Sequence, residues 1–234
     1  MTDKLYIVIP AYNEELNIKA VAVEWHAVAR KIGKESRLVI IDDGSRDSTF
    51  KLIAGLTKEL PQLIALTKQN SGHGDTILYG YNYALEHGAD FIFQTDSDGQ
   101  TVPNEFWRFW EQRGKYDAII GYRNQRKDGI ARIVVTKLLK MLLWCIFGVR
   151  VVDANTPFRL MERGVLSKYL PKVPPHFNLS NVILTVCFVK YENPLFLPIS
   201  FHQRRAGVNS INLKRIIKIG KRAVRDFWRI KKSL

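Results

Sequence analysis

Two aspartates one residue apart close an apolar burst at Phe91-Ile-Phe-Gln-Thr-Asp-Ser-Asp-Gly99. The burst predicts a buried strand that delivers Asp96 and Asp98 to its open C-terminal end. If the strand persisted, residues i and i+2 would share a face. Carboxylates held so close repel, which favours a divalent cation or a shared proton between them. Asp-Ser-Asp-Gly is also good turn chemistry, so the spacing alone leaves a solvated turn open.

Other polar residues fall at the ends of similar apolar runs. Lys4–Pro10 is followed by Tyr12, Asn13 and Glu14, and Arg37–Ile41 by Asp42 and Asp43. Leu63–Leu66 leads to Asn70-Ser-Gly-His-Gly74. Between these runs lie segments with helical spacing: Ala20, Val21, Trp25 and Val28 after a cap expected at Asn13, then 50–60, then Leu78, Tyr81 and Leu85. Strand and helix alternating at this interval predict a parallel sheet covered on both faces, with ligands outside the C-terminal strand ends. No Gly-x-Gly-x-x-Gly and no Gly-Lys-Ser/Thr occurs, so a pyrophosphate cradled on glycine amides is poorly supported. A nucleotide held by carboxylates and a cation fits better. Asp42 or Asp43 would accept from base or ribose, and Asp96 with Asp98 would hold metal against a diphosphate.

The second half differs in charge. Residues 121–234 carry 23 Lys and Arg against 5 Asp and Glu, and the whole chain is +14. Phosphate-rich ligands and anionic membranes are the partners such a field selects. A strand is expected at 116–121. Residues 130–149 predict a long helix, either of the core or lying on a membrane or subunit interface. The turn 154–159 would return Asp153 to the ligand edge. Residues 181–189 are apolar without a deciding period. Leu195–Phe201 reads as a strand, interrupted or edge-placed because Pro198 lacks a donor, and the basic loop 202–209 suits phosphate. From Leu213 to Trp228 an apolar stripe (Leu213, Ile216, Ile217, Gly220, Ala223, Val224, Phe227, Trp228) opposes eight basic residues, as in an interfacial helix. Nucleic-acid binding is disfavoured because no aromatic platform accompanies the basic residues.

The two cysteines have no metal-ligand spacing and suggest a reducing compartment. The N-terminal residues do not read as a secretion signal, and no apolar run is long enough to cross a bilayer. The expected organisation is a catalytic domain at 1–210 and a basic amphipathic helix at 211–234. The expected location is cytoplasmic, peripheral on the cytoplasmic face of a membrane, with oligomerisation left open.

Taken together, Pro10-Ala-Tyr-Asn-Glu-Glu15, Asp42-Asp-Gly-Ser-Arg-Asp-Ser-Thr49, Asn70–Gly74 and Gln94-Thr-Asp-Ser-Asp-Gly-Gln100 resemble the inverting GT-A glycosyltransferases of family 2. Among these, the chain is most similar to polyprenyl-phosphate (dolichyl-phosphate-type) hexose synthases. Gly121-Tyr-Arg123, Asp153–Leu160 and Arg204–Asn209 sit where that subfamily has its later motifs. Thr156-Pro-Phe-Arg159 departs from the usual Ser-Gly-Phe-Arg, and Gly207-Val-Asn-Ser210 lacks a phosphate-binding lysine.

The resemblance implies a nucleotide-sugar donor, with Pro10, Tyr12, Glu14 and Asp42 around its nucleoside. Asp96 and Asp98 would hold Mg²⁺ or Mn²⁺. Arg123 and Arg204 would meet phosphates, and Asp153 would stand near the reacting carbon. A polyprenyl-phosphate acceptor follows from the subfamily. The alternative is a hydroxyl on a lipid-linked or polysaccharide glycan, with Asp153 as its base. A nucleotidyltransferase or a non-catalytic phosphate-binding protein are the readings from other classes.

Overall fold

The computed structural model describes residues 3–123, 130–202 and 224–232, with backbone alone for 130–134. One seven-stranded sheet runs in the order β3-β2-β1-β4-β6-β5-β7. The strands are β1 (Leu5–Ala11), β2 (Arg37–Asp42), β3 (Leu63–Thr67), β4 (Phe91–Gln94), β5 (Ala118–Arg123), β6 (Arg159–Glu162) and β7 (Leu195–Ile199). Every pairing is parallel except those of β6, which runs antiparallel between β4 and β5.

Successive residues of the central strands feed two separate cores, as period-two side chains must. Leu5, Ile7 and Ile9 of β1 join Leu38, Ile40 and Phe93 beneath α1 (Ile18–Ile32), α2 (Thr49–Leu56) and α4 (Phe106–Trp110). Tyr6, Val8, Val39, Ile41 and Ile92 face α3 (His73–Glu86), α5 (Ile130–Phe147), α6 (Arg163–Tyr169) and α7 (Ser180–Tyr191). Burial on both faces explains the unbroken apolar runs in the sequence.

Most predicted elements are present, with informative shifts. β4 ends at Gln94, so Asp96 and Asp98 lie on the loop beyond it rather than on the strand. α1 begins at Ile18, not after Asn13. Asn13 instead takes a positive φ of 54° and accepts a hydrogen bond from the Arg46 amide (2.8 Å), which spends the expected capping group on an inter-loop tie. β6 was unannounced: it has four residues, follows Pro157 and pairs antiparallel. α7 is buried from Ser180 to Phe188, so it carries no polar face and no helical period. β7 runs unbroken through Pro198 at the edge of the sheet, so of the two readings that proline allowed the edge placement holds.

Residues 224–231 form an eighth helix, α8. Its Phe227 is fully buried, with ring centroids 5.8 Å from Phe147 and 6.1 Å from Phe177. Phe227 is therefore a core residue and not available for membrane insertion, a correction to the stripe read from sequence. Trp228 is exposed. The remainder of that stripe, 211–223, and the loop 203–209 with Arg204 lie outside the described residues. Among the described residues no helix is long and apolar enough to cross a membrane.

Candidate active site

The C-terminal ends of β1, β2, β4 and β5 carry most of the predicted residues to one edge of the sheet. Pro10 is buried within β1, opposite Ile41, and Tyr12 stands exposed just past that strand. Glu14 is buried, its amide donating to Thr49 Oγ1 (2.8 Å) and its Oε2 accepting from Asn17 Nδ2 (2.7 Å).

Asp42 and Asp43 are both buried and shape loops. Asp42 accepts from Thr67 Oγ1 (2.9 Å) and the Ser45 amide (3.2 Å). Asp43 accepts from the Ser71 amide (3.0 Å), the Gly72 amide (2.9 Å) and Lys68 Nζ. Next to them Gly44 adopts φ +66°, and a Cβ there would come within 2.9 Å of the Asn70 amide nitrogen. A side chain would force the two loops apart.

The loop held by Asp43 places His73 at the first turn of α3. Its Nε2 lies 3.8 Å from Asp96 Oδ1. That oxygen is covered and has no hydrogen-bond partner, while the Asp96 side chain as a whole keeps 30 % exposure. Burial pushes the Asp96 carboxyl up to about 6; His73 and Arg123 oppose the push, and Asp98 and Glu14 add to it. Glu14, His73, Asp98 and Arg123 thus surround Asp96 closely enough for their charges to register on it. Asp98 Oδ1 accepts from the Gln100 amide (3.1 Å), which turns the loop back. Gln100 also exchanges two hydrogen bonds with the backbone of His202, so the carboxylate loop and the segment after β7 are tied together.

A buried, unpartnered carboxylate oxygen beside a second carboxylate fits a divalent cation. Among the described residues no three His, Cys, Asp or Glu are disposed around one position. A cation at Asp96 and Asp98 would complete its shell from a bound diphosphate or water.

Arg123 ends β5 with its guanidinium over the Phe201 ring, 3.9 Å from the centroid. Asp153 is buried, 7 % exposed, its Oδ1 accepting from the Asn155 amide (3.3 Å). One polar residue escaped the candidate set. Arg159, at the start of β6, is 0 % exposed and its hydrogen bonds run to neutral oxygens: Thr156 O (2.7 and 3.1 Å), Asn181 O (3.1 Å) and Thr185 Oγ1 (3.4 Å). Burial lowers its pKa, and the neighbouring Tyr81, Asp153 and Asp96 work against that. It is a buried guanidinium close enough to Asp153 and Asp96 for their charges to register on it. The signal in the sequence was an arginine closing an apolar turn after Pro157; nothing local showed that it would be buried.

Fold and site together define the class: a GT-A-like α/β protein with a mostly parallel sheet and paired carboxylates at its ligand edge. Residues 6–170 match the family described as Glycosyl transferase family 2, and the chain belongs to that family. Undecaprenyl-phosphate 4-deoxy-4-formamido-L-arabinose transferase of Pectobacterium atrosepticum is 29 % identical over 167 residues, 70 % of this chain and 50 % of that protein. The protein of the same name from Shewanella sediminis is 30 % identical over 171 residues, 72 % and 51 % of the two chains. The chain thus spans about half the length of the curated relatives it matches. Among solved structures, glucosyl-3-phosphoglycerate synthase from Mycobacterium tuberculosis, crystallised with Mn²⁺, UDP and phosphoglyceric acid, superposes with a TM-score of 0.70. That match covers 98 % of this chain and 78 % of the other at 14 % identity, a likeness of fold.

Proposed function

We infer that the protein is an inverting glycosyltransferase that moves a sugar from a nucleoside-diphosphate sugar to a polyprenyl phosphate. The observation that carries this is Asp96: a carboxylate with one covered, unpartnered oxygen, beside Asp98, at the strand ends where a family 2 transferase takes its donor. The relatives named for undecaprenyl phosphate support the acceptor, and the Mn²⁺ and UDP named in the solved structure support the donor and cofactor.

Asp96 and Asp98 would hold Mg²⁺ or Mn²⁺. The cation would supply charge stabilisation for the departing nucleoside diphosphate. Pro10, Tyr12, Glu14 and Asp42 would line the nucleoside, with Asp43 holding the 68–72 loop beside it. Arg123, fixed by Phe201, would offer a preorganised positive charge to a phosphate of donor or acceptor. The acceptor oxygen attacks the anomeric carbon from the face opposite the leaving group. The new C–O bond forms as the bond to the diphosphate breaks, which inverts the centre. A phosphate oxygen is already anionic, so Asp153 would orient the acceptor rather than deprotonate it. A cytoplasmic location follows from nucleotide-sugar supply and remains part of this proposal.

The test is a screen of nucleotide sugars with Mn²⁺ or Mg²⁺ against polyprenyl phosphate and against oligosaccharides. The expected result is a metal-dependent, acid-labile sugar phosphoprenol with release of nucleoside diphosphate. Transfer to the oligosaccharide alone would replace this acceptor with a hydroxyl and make Asp153 its base.

A further inference from the structure

The loop that carries the two carboxylates is closed at its root by a pair of threonines. Thr95, the residue after β4, and Thr101 flank Asp96–Gln100, and their hydroxyls meet at 2.7 Å. Both residues are buried, 0 % and 4 % exposed. The Thr95 amide still donates to Val8 O (3.2 Å), so the entering limb of the loop stays fixed to β1. The leaving limb runs on to α4, whose Phe106 packs on Phe93 at 5.0 Å. Between the limbs the chain turns through Gly99 at φ +70°, where the Gln100 amide donates to Asp98 Oδ1. The tie from Gln100 to His202 lies at the surface, whereas the hydroxyl pair is a buried bond that joins one limb to the other.

Distance gives this bond its importance. Two hydroxyl oxygens in a hydrogen bond sit about 1 Å closer than two methyl groups in contact, which meet at about 3.5–4.0 Å. Cation coordination tolerates shifts of only about 0.2 Å in its ligand oxygens. Asp96 and Asp98 stand one and three residues from Thr95, so a wider root would carry both carboxylates with it. The pair is also neutral. A charged clasp would compete with a cation for the carboxylates. On the opposite face of the sheet, the buried Gln94 accepts from Tyr81 Oη at 2.6 Å, which ties β4 to α3 without crossing the loop.

We propose that Thr95 and Thr101 are positioning residues whose hydroxyl pair holds the Asp96–Asp98 loop at the spacing a divalent cation requires. The proposal rests on the metal-dependent donor site inferred above and is independent of the acceptor.

The experiment compares wild type with Thr95→Val, Thr101→Val and the double variant by chemical denaturation and by calorimetric titration of UDP or GDP, with and without Mn²⁺. Each single variant leaves one buried hydroxyl without its partner and loses stability. The double variant regains part of that stability, because both polar groups are gone. Mn²⁺-dependent nucleotide affinity should not follow stability: it should fall about five- to tenfold in each single variant and stay low in the double. Thr101→Ser keeps the hydroxyl and should retain wild-type affinity within about twofold. Tyr81→Phe removes the buried bond on the other face and should cost stability while leaving the Mn²⁺ dependence unchanged. In the metal-free protein, amide hydrogen exchange at residues 96–100 should accelerate in Thr101→Val beyond what the loss of global stability accounts for. Affinity that recovers with stability in the double variant, or that falls equally in Tyr81→Phe, would reduce the pair to a structural bond and overturn the proposal. Unchanged affinity and exchange in Thr101→Val, beside Mn²⁺-dependent binding by wild type, would remove the pair's role alone. Wild-type nucleotide binding that ignores Mn²⁺ would instead remove the cation inferred above, and with it the purpose of the pair.

Discussion

If Asp96 holds a cation, as proposed, stability and function oppose each other at that residue. Its carboxyl titrates at about 6 in the folded chain, above the ordinary value of an unfolded aspartate. Folding therefore favours its protonated form. The stability it contributes is fully present below the unfolded pKa and is lost as pH rises through about 6. Without metal, the protein should lose on the order of 1–3 kcal/mol at this group between about pH 4 and 7. Asp96→Asn should thus raise the melting temperature in EDTA at about pH 7.5, with a smaller gain at about pH 5, while abolishing transfer. Thermal melts at the two pH values check this, and an equal effect at both would contradict it. Asp98→Ala should nearly abolish transfer and remove the Mn²⁺ dependence of UDP or GDP binding, read by calorimetry with and without metal. Asp153→Asn distinguishes acceptors. With a phosphate acceptor, turnover falls but its pH profile keeps its shape; loss of a single acidic limb in the variant would mean that Asp153 serves as a base.

At the scale of elements, the site depends on close approach between a loop and a helix start. A Cβ on Gly74 would stand 2.2 Å from Phe177 O. Gly74→Ala should therefore separate the first turn of α3 from residues 177–178, costing about 2 kcal/mol and displacing His73 from Asp96. Chemical denaturation would report the loss of stability, and weaker nucleotide binding would report the displacement. β6 is secured by Arg159, whose guanidinium joins the turn at Thr156 to α7. Arg159→Ala leaves buried carbonyls without donors and should cost about 3 kcal/mol or more. Arg159→Lys should recover only part, because an ammonium cannot reproduce the fork. Beneath the same edge, Phe93 meets Phe158 at 4.7 Å, Phe106 at 5.0 Å and Trp25 at 5.2 Å. This aromatic packing anchors both β4 and the turn that follows Asp153.

Across the whole molecule, the ligand edge joins an acidic first half to a basic second half, and bound donor should stabilise the entire fold. With nucleotide and Mn²⁺ at about a hundred times the dissociation constant, unfolding should cost about 2.7 kcal/mol more, visible as a concentration-dependent rise in melting temperature. What the sequence alone determined was local in origin. Apolar runs on β1, β2 and β4, each ended by polar residues, specify strands buried on both faces. Their alternation with helices places Tyr12, Glu14, Asp42, Asp43, Asp96 and Asp98 at one sheet edge, because parallel crossovers put all strand ends together. Pro198, which cannot donate, narrowed β7 to an edge or an interrupted strand, and the sheet order decided for the edge. Only the tertiary structure decided where burial cancels periodicity or where a contact spans the chain. α7 shows no period because its neighbours surround it, and Asn13 ties a distant loop instead of capping α1. Phe227 leaves the basic helix for the core, while Trp144 of the apolar α5 stays outside. In each case the sequence states how apolar a side chain is, but the packing of remote elements determines which face they cover.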